Sequence, residues 1–101
     1  MTDDIHAKGN QWVNITTATT TVVCPKGGVL HTLTFNKPVA AGTITMYDHA
    51  SAASGSKIGT ITFPATVLAN QNSLIYDIAF SNGLTIVTVE ANDITVSFRQ
   101  T

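Results

Sequence analysis

The sequence predicts an all-β domain, an antiparallel β-sandwich of jelly-roll-like type with seven to eight short strands. Three observations carry this. Apolar residues recur with the two-residue period of a half-buried strand. Turn residues break these runs at spacings of about ten to fifteen residues, the rhythm of a sandwich or barrel. No stretch carries a convincing helical pattern.

The segment from Ser73 to Arg99 shows the rule best. Leu74, Tyr76, Ile78 and Phe80 alternate with Ile75, Asp77, Ala79 and Ser81, and beyond Gly83 the residues Leu84 and Ile86 alternate with Thr85, Val87 and Val89. Two hairpin registers compete. A two-residue Asn82-Gly83 loop pairs Ser81 with Leu84 and puts Leu84 and Ile86 on the face of Asp77. A three-residue Ser81-Asn82-Gly83 loop, with Gly83 left-handed in a bulge, pairs Phe80 with Leu84 and Ile78 with Ile86. A slip of one residue flips every side chain, so the apolar pattern selects the three-residue loop.

Taken in order, residues 1–11 mix charge, His6 and Gly9 without a period and read as an arm, leaving 12–101 as one domain. Trp12 to Ile15 begins ordered structure, and Thr16 to Val23 continues extended until Pro25, Gly27 and Gly28 break the run. Val29, His31, Leu33 and Phe35 fall on one face of the next strand, with Leu30, Thr32 and Thr34 on the other. Thr43 to Asp48 is a strand with Ile44 and Met46 on one side. The segment His49 to Gly55 is a small polar loop. In Lys57 to Phe63, Ile61 and Phe63 share a face opposite Ile58, Thr60 and Thr62. Ala65 to Asn72 is too short to assign a helical turn. The last strand alternates Ile94, Val96 and Phe98 with Thr95, Ser97 and Arg99.

Composition bounds the function. The chain has 101 residues, 11% of them charged, and a formal net charge of −1. Such a surface has no field to grip phosphates, which argues against nucleic-acid or anionic-membrane partners. Threonine supplies 17 of the residues and stands where charge usually stands on outward strand faces. A weakly charged surface of this kind also suits a protein whose faces meet other protein. Cys24 is the only cysteine, which leaves no intrachain disulfide and no thiolate cluster, and beside Pro25 it reads as a buried hydrophobe. Asp3 and Asp4 stand where a signal peptide needs basic residues, so the expectation is a chain made in a cytoplasm.

Chemistry is hard to find. Asp48 and His49 are neighbours on a strand end, where adjacent side chains point apart, and the histidines follow no metal-ligand spacing. His31, on the face of Leu33 and Phe35, reads as a satisfied inner residue. Asp77 faces solvent, where a charge that deters edge pairing is the ordinary explanation. Lys26-Gly27-Gly28 lacks the spacing and following helix of a phosphate loop. No catalytic, cofactor-binding or metal-binding residue is assigned. Tyr47 and His49 mark a weak candidate ligand loop. A carbohydrate-binding module is the rival reading, with Trp12 and Tyr47 as its exposed aromatics and Tyr76 on the core face. Val87 and Val89 point away from the predicted core, so that strand is either covered twice or meets a neighbouring subunit.

Two groups of segments look familiar: Gly28–Phe35 (GVLHTLTF), Gly42–Asp48 (GTITMYD) and Ser54–Ile61 (SGSKIGTI), then Ile78–Thr88 (IAFSNGLTIVT) with Asp93–Arg99 (DITVSFR). Together they resemble small structural proteins of tailed bacteriophage virions, of the capsid decoration (cement) or minor virion type. The resemblance spans most of residues 28–99 and carries no site residues. It implies a compact β-sandwich that oligomerises on the virion, with itself and the major capsid protein or another virion protein as partners, made in the host bacterial cytoplasm. It leaves open a tail, fibre, baseplate or head–tail joining role. The expected interface residues are Ile5, Trp12, Val87 and Val89, with Ile5 as the apolar peg of an arm that orders on contact; the alternative is a tail without a role.

Overall fold

The computed structural model of the chain describes residues 11–37, 39, 41–63 and 72–101. Eight strands follow one another: β1 (Gln11–Ile15), β2 (Thr20–Cys24), β3 (Gly28–Lys37), β4 (Thr43–Asp48), β5 (Ser56–Thr62), β6 (Asn72–Phe80), β7 (Leu84–Val89) and β8 (Asp93–Gln100). They form two four-stranded antiparallel sheets, β1-β8-β3-β6 and β2-β7-β4-β5. The pairs β1·β8, β2·β7, β3·β6 and β4·β5 are those of one long hairpin rolled into a sandwich, the jelly roll that the strand pattern predicts.

The core lies between the sheets. Leu30, Leu33, Ile94 and Val96 from the first sheet meet Ile44, Met46, Leu84 and Ile86 from the second, all without solvent exposure. Each such aliphatic side chain contributes about 1.5–3 kcal/mol on burial. Phe35 and Phe63 add an edge-to-face contact, with ring centroids 5.1 Å apart and planes at 89°.

The hairpin expected at Ser81-Asn82-Gly83 does not form. β6 and β7 belong to different sheets, so neither Phe80 with Leu84 nor Ile78 with Ile86 is a strand pair; Ile78 pairs with Leu30 and Ile86 with Thr21 and Met46. Phe80, Leu84 and Ile86 do share the core, but from opposite walls. Their alternation fits a hairpin and a crossing connection equally well. Gly83 is not left-handed; Gly55 is the glycine with positive φ among the described residues. What Gly83 supplies is room, because a Cβ there would lie 2.6 Å from the Ala50 Cα and 2.8 Å from the Cys24 and His49 carbonyl oxygens. Ile78 also departs from expectation: it lies on an outermost strand and is 38% exposed.

Two bulges shift the expected faces. In β3, register slips between Leu30 and Thr32 against both neighbours, leaving His31 as an extra residue opposite β8. Leu30, Leu33 and Phe35 therefore face inward, while Val29 and His31 do not join the buried core. In β5, Ile58 is the extra residue between Lys57 and Gly59, and it turns inward to pack on the core with Ile61 and Phe63. The long extended run expected over Thr16–Val23 is broken at residues 16–19, where the chain passes from β1 to β2. Gln11, expected in the arm, opens β1 opposite Phe98. Residues 1–10, with Ile5, and most of the Ala65–Asn72 segment lie outside the described residues.

Asn92 closes one end of the sandwich. Fully buried, it accepts from the Val39 backbone N–H at 2.6 Å and donates to the Val89 carbonyl at 3.1 Å, tying the β3–β4 and β7–β8 connections together. Two variants test the ends of the fold. Gly83→Val is expected to cost about 1–3 kcal/mol through overpacking, read as a lowered thermal midpoint. Asn92→Ala is expected to cost about 1–3 kcal/mol by orphaning the Val39 N–H, read by urea unfolding.

Candidate interaction surfaces

Three regions compete as functional sites: the pole that carries the β4–β5 loop, and the outer faces of the two sheets. At the pole, the Asp48 carboxylate sits at the end of β4 beneath the β6–β7 connection. Its Oδ2 accepts from the Ser81 N–H at 2.9 Å, and its Oδ1 accepts from Asn82 at 2.8 Å and Gly83 at 3.3 Å. Burial pushes the Asp48 carboxyl upward, but the three backbone donors and the nearby His49 together outweigh it and hold the group below the ordinary aspartate value. His49 Nδ1 accepts from the Ser51 and Ala52 N–H groups at 3.1 and 3.0 Å, and the His49 carbonyl accepts from the Thr85 hydroxyl at 2.8 Å. Asp48 and His49 thus each hold their own piece of chain. Tyr47, half-buried one residue earlier, lies on the outward side of β4 opposite Thr85. Through the Asp48 carboxylate and the His49 carbonyl, the loop that carries the weak candidate site at Tyr47 and His49 also clasps the β6–β7 connection and the start of β7.

The outer face of the first sheet is mixed. Cross-strand pairing lines up Trp12, Ser97, Thr32 and Ile75 in one row and Asn14, Thr95, Thr34 and Ser73 in the next. Trp12 is 70% exposed and Ile75 is 73% exposed, so the first row ends in a bare apolar side chain at each margin. The Asp93 carboxylate is held by the Asn14 amide at 2.7 Å and the Asn36 amide at 3.1 Å. His31 and Asp77 pair at 2.6 Å on this face; both are partly exposed, with Asp77 in the left-handed region at φ 48°. That contact, rather than core packing, is where His31 ends up: the extra residue in β3 turns it outward.

The outer face of the second sheet is plainer. Its rows read Thr62–Thr43–Val89, then Thr60–Thr45–Val87–Thr20, then Lys57–Tyr47–Thr85–Val22. Val89 is 48% exposed, Val22 is also exposed and Val87 is half-buried, while Thr85 lies under the His49 loop. Lys57, in a corner, is the only charged residue of these rows. Sequence reasoning pointed to Trp12, Val87 and Val89 but did not single out Ile75, although its alternation with Leu74 and Tyr76 set it on the outward face, because nothing local shows that its strand lies at the margin of the sheet. It also missed Asn92, since one asparagine in a polar turn gives no signal of burial.

Among the described residues, no three His, Cys, Asp or Glu side chains gather where they could hold a metal ion. Cys24 is buried, its Sγ 3.3 Å from the Lys26 carbonyl. What these surfaces offer is contact: flat hydroxyl-bearing planes, one large indole and several bare aliphatic groups.

Acid sensitivity follows from the clasp. A carboxyl held below its unfolded-state value adds stability above that value, and the contribution is lost as pH falls through the folded-state value. Asp48→Asn is expected to lower stability at pH 7 by about 1 kcal/mol and to flatten the loss of stability between about pH 5 and 2, followed by thermal unfolding across a pH series. Comparison of the chain with protein-family models, with curated proteins and with solved structures finds no match.

Proposed function

We propose that this chain is a non-enzymatic structural protein of a bacteriophage virion that decorates the capsid, binding its own copies and bridging shell subunits. The observation that carries the reading is the outer surface. The outer face of the second sheet is poor in charge, and large apolar side chains stand bare on both: Trp12 and Ile75 on the first sheet, Val22 and Val89 on the second. A bare tryptophan on a sheet margin suits the anchor of a protein interface, where indoles are enriched. The satisfied poles suit a rigid module that changes little on docking, since no buried side-chain polar atom lacks a partner among the described residues. The resemblance of the strand-and-turn segments to virion proteins adds the setting. Jelly rolls serve both as viral shell domains and as lectins, so the fold leaves the choice to the surface.

One observation favours a second reading. Trp12 shares its face with Ser97, Thr32, Asn14 and Thr95, an indole beside hydroxyl and amide groups. Such a face can stack on a pyranose ring and bond its hydroxyls, as a carbohydrate-binding module does. A tail, fibre, baseplate or head–tail joining role stands within the first reading.

The deciding experiment adds the purified chain to phage heads and tails stripped of it and measures retention after sedimentation. Decoration is expected to give saturable binding to heads, weakened at least tenfold by Trp12→Ala. Binding to tails alone would move the chain to the runner-up role. Binding to neither, together with glycan-array binding lost in Trp12→Ala, would replace the reading with the carbohydrate one.

A further inference from the structure

Among the surfaces of this molecule, the outer face of the second sheet is the one best suited to meet its own image. We propose that two copies of the chain pack face to face through it, about a twofold axis that brings the rows of Thr43, Thr45, Thr60, Thr62, Val87 and Val89 onto their counterparts. This deepens the reading of the chain as an assembling protein and rests on it.

Charge separates the two faces. In a twofold contact the same patch serves both partners, residues near the axis meeting their own copies and the others meeting different residues of that patch, so a charge on it is buried twice. The first sheet carries Asp77, Asp93, Arg99 and His31 on or beside its outer face, and a contact there would have to strip water from all of them in both copies. The second sheet offers Lys57 at one corner of its outer face and Glu90 just past the end of the Val89 row, both exposed, and no charge between them in the rows of the contact.

Shape and order favour the same face. Threonine and valine are stiff at χ1, so burying them sacrifices little rotamer freedom. Their rows are spaced by the strands themselves, about 4.8 Å apart, giving two identical ridged planes that can interdigitate as the inner faces of a sandwich do. Two of the hydroxyls already satisfy each other within the chain, Thr60 donating to Thr45 at 3.4 Å.

Area sets the strength. Four strands of about six residues span roughly 400 Å² of plane, so two copies bring together at most roughly 800 Å² of plane, below the roughly 1,200 Å² at which stable specific interfaces begin and in the range of transient contacts. The dimer is therefore weak and reversible. Pairing through the long outermost strand β6 is the obvious competing mode, and it is hindered: the irregularity between Ile75 and Ile78, with left-handed Asp77 inside it, breaks the regular edge a second copy would need.

The test is sedimentation equilibrium of the full chain from about one to several hundred micromolar, with retention on phage heads measured separately. A monomer–dimer equilibrium is expected. Val87→Asp is expected to weaken it at least tenfold, Thr60→Lys at an exposed position to do the same, and Trp12→Ala to leave it unchanged, with circular dichroism confirming that each variant folds. A monomer at every concentration, a trimer, or a dimer that survives both second-sheet variants overturns the inference. Head binding by a protein that stays monomeric would overturn the dimer and leave decoration standing. A dimer that binds no particle would do the reverse.

Discussion

Six of the seven connections in this chain pass from one sheet to the other, and only β4–β5 joins neighbours within a sheet. The described crossings carry backbone N–H and C=O groups past the ends of the strand ladders, and leaving such a group buried and unpaired costs about 1–3 kcal/mol. The molecule meets this demand with a few side chains. Asp48 takes three N–H groups of the β6–β7 crossing, and Asn92 links the β3–β4 and β7–β8 crossings. The Thr88 hydroxyl donates to the Thr17 carbonyl at 2.6 Å and accepts from the Thr19 N–H at 3.1 Å, holding β1–β2. The apolar core supplies most of the stabilisation, but the choice of one jelly roll over other stackings of the same strands leans on these clasps.

The bulges serve the outer surface as much as the core. By inserting His31, β3 lets Leu30, Leu33 and Phe35 all face inward and turns His31 out toward Asp77. By inserting Ile58, β5 adds an aliphatic group to the core and keeps Thr60 and Thr62 in the outward rows beside Thr45 and Thr43. The two outer faces therefore differ in kind. One carries the indole, the ion pair and the Asp93 network; the other is a nearly charge-free plane of β-branched side chains.

Much of the fold was legible in the sequence. Ile94, Val96 and Phe98 are buried as their alternation demands, Ile44 and Met46 likewise, Cys24 is buried, and Val89 stands outward. Period-two alternation is a local property of the chain, and the apolar burial it encodes is the main driving force of folding, so the two agree wherever a strand runs regularly. The all-β class, the sandwich and the near-positions of the strands follow from that alone.

Tertiary structure decided what local pattern cannot carry. Phe80, Leu84 and Ile86 reach the same core whether residues 81–83 close a hairpin or cross between sheets, because both faces of the gap are equally apolar. The choice fell to β3, which takes β6 as its partner from more than thirty residues away. The phase breaks at His31 and Ile58 were hidden because a bulge exists only relative to a neighbouring strand. Asp48 and Asn92 looked like ordinary loop residues, since their worth depends on backbone donors distant in sequence, and only the rolled chain brings those within 3 Å or so of them.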